Sequence, residues 1–537
     1  MSLRVRWLGR VAYRDAHALQ RGLFEHAEDD HLLLLEHPHV YTLGVRADLA
    51  NVLVPPASVG AELVRADRGG DVTYHGPGQL VGYPILTVAS RGRLADTVAY
   101  VRSVEQLVID VLRDLGLAAT RFDRCPGVWV EDRKIAAVGV RLSRGRSMHG
   151  FALNVDPDMT MFDHIVPCGI RDKGVTSLRA EGIDASMADV VDAVVNRAAE
   201  RWGADGWERQ DVTDPTRSGD ETSADLSTFR RQNGGTPVRL TGRLVHAGVS
   251  GGLAISERKP EWLRAPLRMD TEQRRLQRTM RELELVTVCE EAGCPNLSEC
   301  WSDGTATFMI NGERCTRACG FCLVDTRHPL PLAPDEPRRV AEAVVRMGLT
   351  HAVVTAVARD DLDDGGAEAF SATVAAIRAR RPDCAVEVLI PDCKGDVDAL
   401  ETIFASRPDV LNHNLETVAR LQRAVRPSAG YARSLAVLAR AKAAGLTTKS
   451  GVILGMGETD DEVLAALADL RGVGVDIVTI GQYLRPSAKH LPVARWVEPA
   501  SFDALKRAGE AMGIPHVEAS PLTRSSYHAR QAAAAAV

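Results

Sequence analysis

Three cysteines stand close together near the middle of the chain, in the segment MINGERCTRACGFC, where Cys315, Cys319 and Cys322 have the spacing C-x3-C-x2-C. Three thiolates at this spacing can hold one compact metal centre. A cubane iron–sulfur cluster usually takes four cysteines, so three protein ligands leave one iron open for chemistry. The alternative is half of a zinc site, but the neighbouring cysteines have the wrong spacing for a zinc ribbon or finger.

A second cysteine triplet precedes the first, because Cys289, Cys294 and Cys300 have the spacing C-x4-C-x5-C. Two adjacent triplets of different spacing indicate two clusters, whereas zinc would favour paired C-x2-C elements around one ion. Such clustering in a large chain is typical of metal ligation and not of a disulfide framework. The other cysteines outside known motifs are interpreted as structural: Cys125, Cys384 and Cys393.

The first part of the chain has three unusual stretches of its own. Arg68-Gly-Gly-Asp-Val-Thr-Tyr-His-Gly-Pro-Gly-Gln79 is rich in glycine, which lets a backbone approach a ligand closely. The alternative is two tight turns around a strand. Lys134 stands at the head of an apolar run, and taken alone it is better explained as an exposed hairpin lysine. Cys168 lies between Pro167 and Gly169, although a lone cysteine is more often inert and buried.

Composition limits the class of protein. At 537 residues the chain is too long for one ordinary domain. Its net charge of −6, a pI near 6.2 and 5% aromatic residues argue against a general nucleic-acid or membrane-surface binder. The N-terminus does not have the pattern of a signal peptide, and the chain lacks an uninterrupted apolar run of about 18 residues. We therefore expect a cytoplasmic protein with neither nucleic acid nor membrane as partner.

The patterns that must position these residues indicate α/β structure in both halves. Residues 1–205 combine predicted strands and amphipathic helices: strand 31–36, helix 94–115, a hairpin of 128–130 with 135–140, and helix 187–202. Residues 206–258 are predicted as a linker, because Asp211–Asp225 is acidic and has few large apolar residues. Within this segment Thr236–Ile255 is more apolar and is predicted to form a strand or two.

Residues 259–537 begin with a predicted helix, Asp270–Leu285, and then repeat a strand–helix pattern. Strands are predicted at 351–356, 385–390, 410–414, 448–454 and 477–480, and helices at 338–347, 370–380, 431–444 and 462–470. This repetition favours a parallel sheet in a full or partial barrel. Ligands of such barrels bind at the carboxyl ends of strands. The candidate ends are Thr355–Asp360, Asn412–Glu416, Gly455–Glu458 and Gln482–Arg485.

The first part resembles the lipoate–protein octanoyltransferase family over most of residues 1–205. The matching motifs are RGGDVTYHGPGQL at 68–80, KIAAVGVR at 134–141, HGFALNV at 149–155 and PCG at 167–169. The resemblance implies the fold of biotin and lipoate ligases. It also implies transfer of octanoyl from acyl carrier protein to a lysine of a lipoyl domain, with Cys168 as nucleophile and Lys134 as its partner. The implied acyl-channel residues are Arg68, Gly69, Gly70, Asp71, Val72, Thr73, Tyr74, His75, Ala137, Val138, Gly139, Gly150, Phe151 and Ala152.

The second part resembles lipoyl synthase, a radical S-adenosylmethionine family, from about Arg258 onward. The motifs are CEEAGCPNLSEC, CTRACGFC, RDDLDDGGA, HNLETV, ILGMGETDDE, GQYLRPS and RSSYHA. The resemblance implies a radical-generating [4Fe–4S] cluster on Cys315, Cys319 and Cys322, which binds S-adenosylmethionine. It implies a second [4Fe–4S] cluster on Cys289, Cys294, Cys300 and Ser526 that supplies sulfur and is consumed. Ser525 is the adjacent alternative to Ser526.

Together the resemblances predict a bifunctional enzyme of lipoate biosynthesis, with a partial TIM barrel as its second domain. Octanoyl attachment would be followed by insertion of two sulfurs at C6 and C8. The expected partners are octanoyl-acyl carrier protein, an electron donor, and lipoyl domains of 2-oxoacid dehydrogenase complexes and of the glycine cleavage H protein. The linker would let both sites act on one bound lipoyl domain.

Four alternatives remain open at this point. The first part could be an ATP-dependent lipoate ligase, which needs no cysteine nucleophile. The second could be a different radical sulfurtransferase. The whole could be an iron–sulfur electron carrier fused to a binding module, or a zinc-stabilised scaffold.

Overall fold

The computed structural model describes residues 2–88, 90–91, 94–122, 125–167, 173–216, 240–264, 278–287, 296 and 304–535. The chain separates into two compact units, Met1–Glu221 and Thr222–Val537. Each unit is described by itself.

The first unit is a mixed α/β domain. Its helices are Tyr13–His26, Thr97–Asp114 and Met187–Trp202, with 3-10 turns at Leu49–Asn51, Pro56–Val59 and Met159–His164. Its strands are β1 (Leu3–Arg10), β2 (Asp30–Glu36), β3 (Val40–Leu43), β4 (Glu62–Arg65), β5 (Val72–His75), β6 (Gln79–Ile85), β7 (Ser90–Arg91), β8 (Leu94–Ala95), β9 (Thr120–Phe122), β10 (Cys125–Val130), β11 (Arg133–Ser143), β12 (Arg146–Asn154), β13 (Gly174–Val175) and β14 (Trp207–Arg209).

One large sheet forms the centre of this unit, with the order β14-β1-β2-β6-β12-β11-β10-β9 and β13 beside β11. A smaller sheet has the order β4-β3-β5. Helices Thr97–Asp114 and Met187–Trp202 pack their apolar faces on the large sheet. Each begins at a side-chain cap: Asp96 accepts from Ala99 N, and Ser186 forms a capping box with Asp189. The predicted hairpin around Glu131 is confirmed.

The second unit repeats strand and helix. Its strands are β15 (Val286–Thr287), β16 (Thr305–Ile310), β17 (His351–Ala356), β18 (Ala385–Leu389), β19 (Val410–Asn412), β20 (Thr448–Leu454), β21 (Ile477–Gln482) and β22 (His516–Ala519). Its helices are Leu240–His246, Glu336–Arg346, Ala367–Arg380, Val397–Ala405, Gln422–Val425, Tyr431–Ala443, Asp460–Gly472, Pro499–Ala511 and Ala529–Ala535, with 3-10 turns at Glu261–Leu263, Cys393–Gly395 and Ala419–Leu421.

The strands of this unit follow one another in chain order from β15 to β22. All neighbours from β16 onward are parallel, and only β15 is antiparallel to its neighbour. The predicted α/β class and parallel sheet are therefore confirmed. Because the strands run the same way, their carboxyl ends meet at one edge, where ligands of such sheets bind. Cys384 and Cys393 lie in the buried core of this unit.

Two stretches of the predicted linker have regular structure. The predicted strand within Thr236–Ile255 is wrong, because Leu240–His246 is a helix that lies beside Gln422–Val425. The apolar residues of this stretch do not alternate with polar ones, since Leu244 and Val245 are adjacent, so the period of a half-buried strand is missing. Trp207–Arg209 forms β14, which pairs with β1. The acidic stretch Asp211–Asp225 lies largely outside the described residues, as does the first half of the predicted helix Asp270–Leu285. The predicted domain boundaries stay predictions.

Candidate active sites

A cavity of about 480 Å³, including its open mouth, lies in the first unit between the glycine-rich segment after β4 and the strands β6, β11 and β12. All the predicted acyl-channel residues except Val72 and Tyr74 line it. Those two side chains belong to a separate apolar cluster with Tyr41, Leu43 and Phe162. They alternate along β5 with Thr73 and His75, which face the cavity, as successive residues of a strand do.

Glycines bring the walls of this cavity close together. The Gly69 amide donates to the Val140 carbonyl at 3.0 Å, which lays the glycine-rich segment on β11. A Cβ atom on Gly139 would stand 3.0 Å from the Gly69 carbonyl oxygen, and one on Gly150 would stand 2.2 Å from that of Gly82. The backbones can approach only because these residues have no side chain.

Polar side chains of the cavity wall are held in place by hydrogen bonds. Arg68 Nη2 donates to the Thr42 carbonyl at 2.7 Å and to its hydroxyl at 2.8 Å. His75 contacts Gln79 Oε1 through Nδ1 at 2.8 Å and the Thr42 hydroxyl through Nε2 at 3.3 Å. Burial lowers the pKa of His75 well below its usual value, so this imidazole is neutral near pH 7.

Next to this wall, Asp67 accepts hydrogen bonds from two histidines. His149 Nε2 and His17 Nε2 donate to its Oδ1 at 2.7 and 3.1 Å, and Arg141 donates to its other oxygen. These bonds lower the pKa of Asp67 far below its usual range. Burial lowers the pKa of His149.

Sequence reasoning missed four residues that line the cavity: Tyr13, Val81, Tyr83 and His149. His149 lies in the quoted HGFALNV motif and could have been chosen from it. Val81 and Tyr83 alternate on β6 after the glycine-rich segment, which is a usable period-two signal. Tyr13 comes from a distant helix, and no local pattern links it to the cavity.

Lys134 lies on β11, three residues before the first cavity residue of that strand, Ala137, and its side chain is only 6% exposed. Its Nζ stands 4.9 Å from the centre of the Trp129 ring. The predicted exposed-hairpin alternative therefore does not describe this lysine.

Cys168 lies outside the described residues, but the chain on both sides is placed. Before it, the Val166 amide donates to the Asn51 carbonyl at 2.8 Å. Asn51 Nδ2 in turn donates to Asp71 of the glycine-rich segment at 2.6 Å. After it, Gly174 and Val175 pair with Arg133 and Lys134. The segment that contains Cys168 therefore starts beside the cavity and returns to the strand of Lys134.

In the second unit, Cys315, Cys319 and Cys322 lie on the loop after β16. The loop is fixed by backbone bonds from Gly320 N to Val425 O at 2.8 Å and from Leu491 N to Gly320 O at 2.9 Å. Burial raises the pKa of Cys322 to about 12, and the nearby thiolates of Cys319 and Cys315 contribute. Three partly buried thiols on one loop become thiolates when a cation such as a metal centre compensates their charge. This donor set fits an iron–sulfur cluster.

Arg317, between two of these cysteines, ties the loop to the carboxyl ends of β17 and β18. Its guanidinium donates to both oxygens of Asp360 at 2.8 Å and to Asp392 at 2.6 Å. Burial would raise the pKa of Asp392, but Arg317 and Arg433 outweigh burial and lower it. This network holds the cysteine loop over the edge where the strands end.

Other polar groups lie at the predicted strand ends. Glu458 accepts from the amides of Gly455 at 2.6 Å and Met456 at 2.9 Å. Glu416 has a left-handed backbone (φ 67°), and burial raises its pKa. The edge therefore offers carboxylates and amides in addition to the cysteines.

The second cysteine triplet, Cys289, Cys294 and Cys300, lies outside the described residues. One residue between them is described: Asn296 Nδ2 donates to the Leu522 carbonyl at 2.7 Å. Ser526 lies four residues beyond Leu522, in a turn where it is partly exposed. Asn296, which lies between cysteines of the second triplet, therefore contacts the chain two residues before the RSSYHA motif.

Comparison with known proteins identifies both units. Residues 12–199 match the family model of the lipoyl protein ligase A/B catalytic domain, and residues 309–470 match that of the radical SAM superfamily. The lipoyl synthase of Rubrobacter xylanophilus is 56% identical over 275 residues, which cover 51% of this chain and 86% of that protein. The chain belongs to the lipoyl synthase family.

The lipoyl synthase of Mycobacterium avium is likewise 56% identical, over 283 residues that cover 52% of this chain and 92% of that protein. The chain is thus a fusion of a ligase/transferase-like catalytic domain with a lipoyl synthase. Membership of the radical SAM and lipoyl synthase families implies a [4Fe–4S] cluster and S-adenosylmethionine as cofactors.

A bipartite lipoate protein ligase from Thermoplasma acidophilum is 20% identical and covers 40% of this chain and 89% of its own, with a TM-score of 0.34.

Among the residues that the structure describes, no helix is long and apolar enough to cross a membrane.

Proposed function

We propose that the first unit transfers an octanoyl group from acyl carrier protein to a lysine of a lipoyl domain, through a thioester on Cys168. The observation that carries this proposal is the cavity lined by the glycine-rich segment and by β11, the strand that also bears the buried Lys134 three residues before Ala137. The acceptors of the proposed octanoyl transfer are lipoyl domains of 2-oxoacid dehydrogenase complexes and of the glycine cleavage H protein.

Cys168 and Lys134 divide the reaction into two steps. Lys134 takes the thiol proton of Cys168, and an ammonium beside the sulfur favours the thiolate. The thiolate attacks the octanoyl thioester; a new S–C bond forms, the carrier's S–C bond breaks, and the carrier thiol leaves with that proton. The amine of the lipoyl-domain lysine then attacks, an amide N–C bond forms, and the Cys168 S–C bond breaks. The amine proton returns to Cys168 through Lys134.

We propose further that the second unit inserts sulfur at C6 and C8 of the attached octanoyl chain. Cys315, Cys319 and Cys322 would hold one [4Fe–4S] cluster, and Cys289, Cys294, Cys300 and Ser526 a second. When bound, the first cluster with S-adenosylmethionine supplies a carbon radical that removes hydrogen from an unactivated C–H bond, and the second supplies the sulfur atoms. Support for Ser526 comes from the hydrogen bond between Asn296 and Leu522.

The residues of the protein position the substrate and exclude water in this reaction. Arg317 fixes the cysteine loop through Asp360 and Asp392, and His490 Nε2 donates to the Cys322 carbonyl at 3.0 Å. A hydroxyl is a poorer ligand for iron than a thiolate, so Ser526 would mark the corner from which iron is most easily lost. An electron donor is a required partner.

The transferase proposal is tested by intact mass after mixing the protein with octanoyl-acyl carrier protein. We expect an octanoyl adduct on the wild-type chain and none on Cys168→Ala. Normal lipoyl-domain octanoylation by Cys168→Ala, or octanoylation that requires ATP and free octanoate, would contradict the proposal and favour a ligase.

The synthase proposal is tested by anaerobic reconstitution with iron and sulfide. Two clusters predict about eight irons per chain, falling to about four in a Cys289→Ala/Cys294→Ala/Cys300→Ala variant. Addition of S-adenosylmethionine, reductant and an octanoylated lipoyl domain should yield 5′-deoxyadenosine and the lipoylated domain. Bound zinc, or no nucleoside product, would contradict it.

A further inference from the structure

We propose that Phe122 and Trp129 form an aromatic clamp that positions Lys134 against the returning end of the Cys168 segment. This inference rests on the proposed transferase function. It assigns a positioning role to two rings on neighbouring strands, β9 and β10, outside the cavity and outside the motifs that carry the family resemblance.

The first half of the clamp is the face of Trp129. This ring is 1% exposed, and its Nε1 donates to the Cys125 carbonyl at 3.1 Å, which fixes its orientation. Trp129 is the cross-strand neighbour of Lys134, whose Nζ lies 4.9 Å from the ring centre. A buried ammonium over an indole face is attracted by the negative potential of the ring.

Gly127 leaves room for the methylene chain of Lys134. A Cβ atom there would lie 3.2 Å from Lys134 Cε and 3.4 Å from Cδ, and 2.6 Å from the Ala136 carbonyl oxygen. Gly127 also has a φ of 131°, which other residues rarely adopt. The stem of Lys134 therefore runs past the bare backbone of Gly127, and its ammonium meets the Trp129 ring.

The second half of the clamp is Phe122. Its ring centre lies 5.3 Å from that of Trp129, and Lys173 Nζ lies 4.4 Å from the centre of the Phe122 ring. Residues 168–172 lie outside the described residues, and Lys173 is the next residue along the chain. Gly174 and Val175, which follow it, pair with Arg133 and Lys134. The Trp129 ring thus contacts the ammonium of Lys134, and the neighbouring Phe122 ring contacts the ammonium of Lys173.

This arrangement has a chemical consequence for the transfer. Lys134 must hold its ammonium beside the Cys168 thiolate when the acyl donor arrives, and its amine must still face Cys168 when the lipoyl-domain lysine attacks. A ring face favours the charged form and one rotamer, so the clamp maintains both the charge and the position. Lys134 has additional interactions, and the clamp acts together with them.

The test uses the full-length chain with Trp129→Leu, Trp129→Phe and Phe122→Leu. Two pH profiles are measured: alkylation of Cys168 by iodoacetamide, followed on its peptide by mass spectrometry, and single-turnover octanoyl-adduct formation. We expect Trp129→Leu to slow adduct formation about tenfold or more and to move both profiles to higher pH. Trp129→Phe should keep most of the rate, and Phe122→Leu should lie between.

Phe24→Leu is the matched control, because it removes another ring of this unit that carries a cation, Arg144 at 5.3 Å. We expect its profiles to match those of the wild type. If Trp129→Leu lowers the rate by the same factor at every pH, or leaves both profiles unchanged, the clamp is overturned. If the wild-type chain forms no adduct on Cys168, the transferase proposal itself fails, which is a different result.

Discussion

At the scale of single residues, a glycine on β6 leaves room for an aromatic ring in the cavity wall. Gly82 pairs with Phe151 across β6 and β12, and a Cβ atom there would lie 2.3 Å from the Phe151 ring. We expect Gly82→Ala to lower the free energy of unfolding of the first unit by about 1–3 kcal/mol through overpacking. Urea unfolding at pH 7 measures the loss. Adding Phe151→Leu should restore part of it, whereas strictly additive losses would speak against the clash.

His37 is a residue whose burial makes stability depend on pH. Its Nδ1 contacts the Val11 carbonyl and its Nε2 the Tyr83 hydroxyl, both at 2.7 Å. Burial lowers its pKa from 6.5 to about 4. The unfolded chain therefore takes up the proton first, and the stability from neutral His37 is complete above pH 6.5 and falls as the pH approaches 4.

We expect His37→Gln, which keeps one donor and one acceptor, to reduce this dependence. The wild-type unit should lose about 2 kcal/mol more than the variant between pH 7 and pH 5. The comparison is made by urea unfolding at both values. Equal losses would show that His37 is not the group that titrates. His31 and His75, whose pKa values are also lowered by burial, keep part of the slope in both proteins.

Local motifs predicted much of the cavity, because RGGDVTYHGPGQ and HGFALNV place their residues on adjacent strands. They could not predict Tyr13, which reaches the cavity from a helix sixty or so residues away along the chain. Val72 and Tyr74 were predicted with their neighbours because a sequence motif does not show which of its residues face the cavity. In a strand, successive side chains point to opposite faces. The aromatic pair of Phe122 and Trp129 has no sequence signal at all, since it depends on the pairing of β9 with β10.

At the scale of elements, the cysteine loop depends on an ion-pair network that joins it to two strands. Removing one partner of a buried pair leaves an uncompensated charge. We expect Asp392→Asn, which faces Arg317, to lower the free energy of unfolding of the second unit by about 3 kcal/mol. We also expect it to lower the iron retained after reconstitution, because Arg317 lies between Cys315 and Cys319. Urea unfolding and iron analysis measure the two effects.

Asp335→Asn provides the control for this prediction. Asp335 pairs with Arg338 and Arg339 at the protein surface, where ion pairs contribute about 0–1 kcal/mol. Its stability and iron content should stay close to those of the wild type. Similar losses in both variants would mean that the buried network has no special part in holding the loop.

Several elements were predicted closely: β17 and β20 begin and end at the predicted residues, and helix Met187–Trp202 is confirmed. The failures have a common cause. Leu240–His246 is short, and its apolar residues were counted without regard to their spacing. Trp207–Arg209 is a strand only because β1 offers a partner two hundred residues away, which no local window contains.

At the scale of the whole molecule, one chain joins a ligase/transferase-like domain to a lipoyl synthase, and the proposed function makes their two reactions consecutive. We expect a protease site inserted after Glu221, where the units divide, to leave each activity intact on saturating substrate after cleavage. At low micromolar lipoyl domain, formation of the lipoyl product from octanoyl-acyl carrier protein should fall several-fold, because the tether and its effective concentration are lost. The uncut insertion variant is the control. Equal product rates before and after cleavage would rule out transfer between the sites.

The strand β14 decides where the chain could be shortened. It covers the outer side of β1, which is otherwise the last strand of the large sheet. A chain that stopped at residue 205 would leave the amide and carbonyl groups of Leu3–Val5 open to pairing with another molecule, which is a route to aggregation. The first unit should therefore be produced with residues 207–212, since Val212 also bonds to Trp7. Insolubility of a shorter version would then reflect an unprotected sheet and not an inactive enzyme.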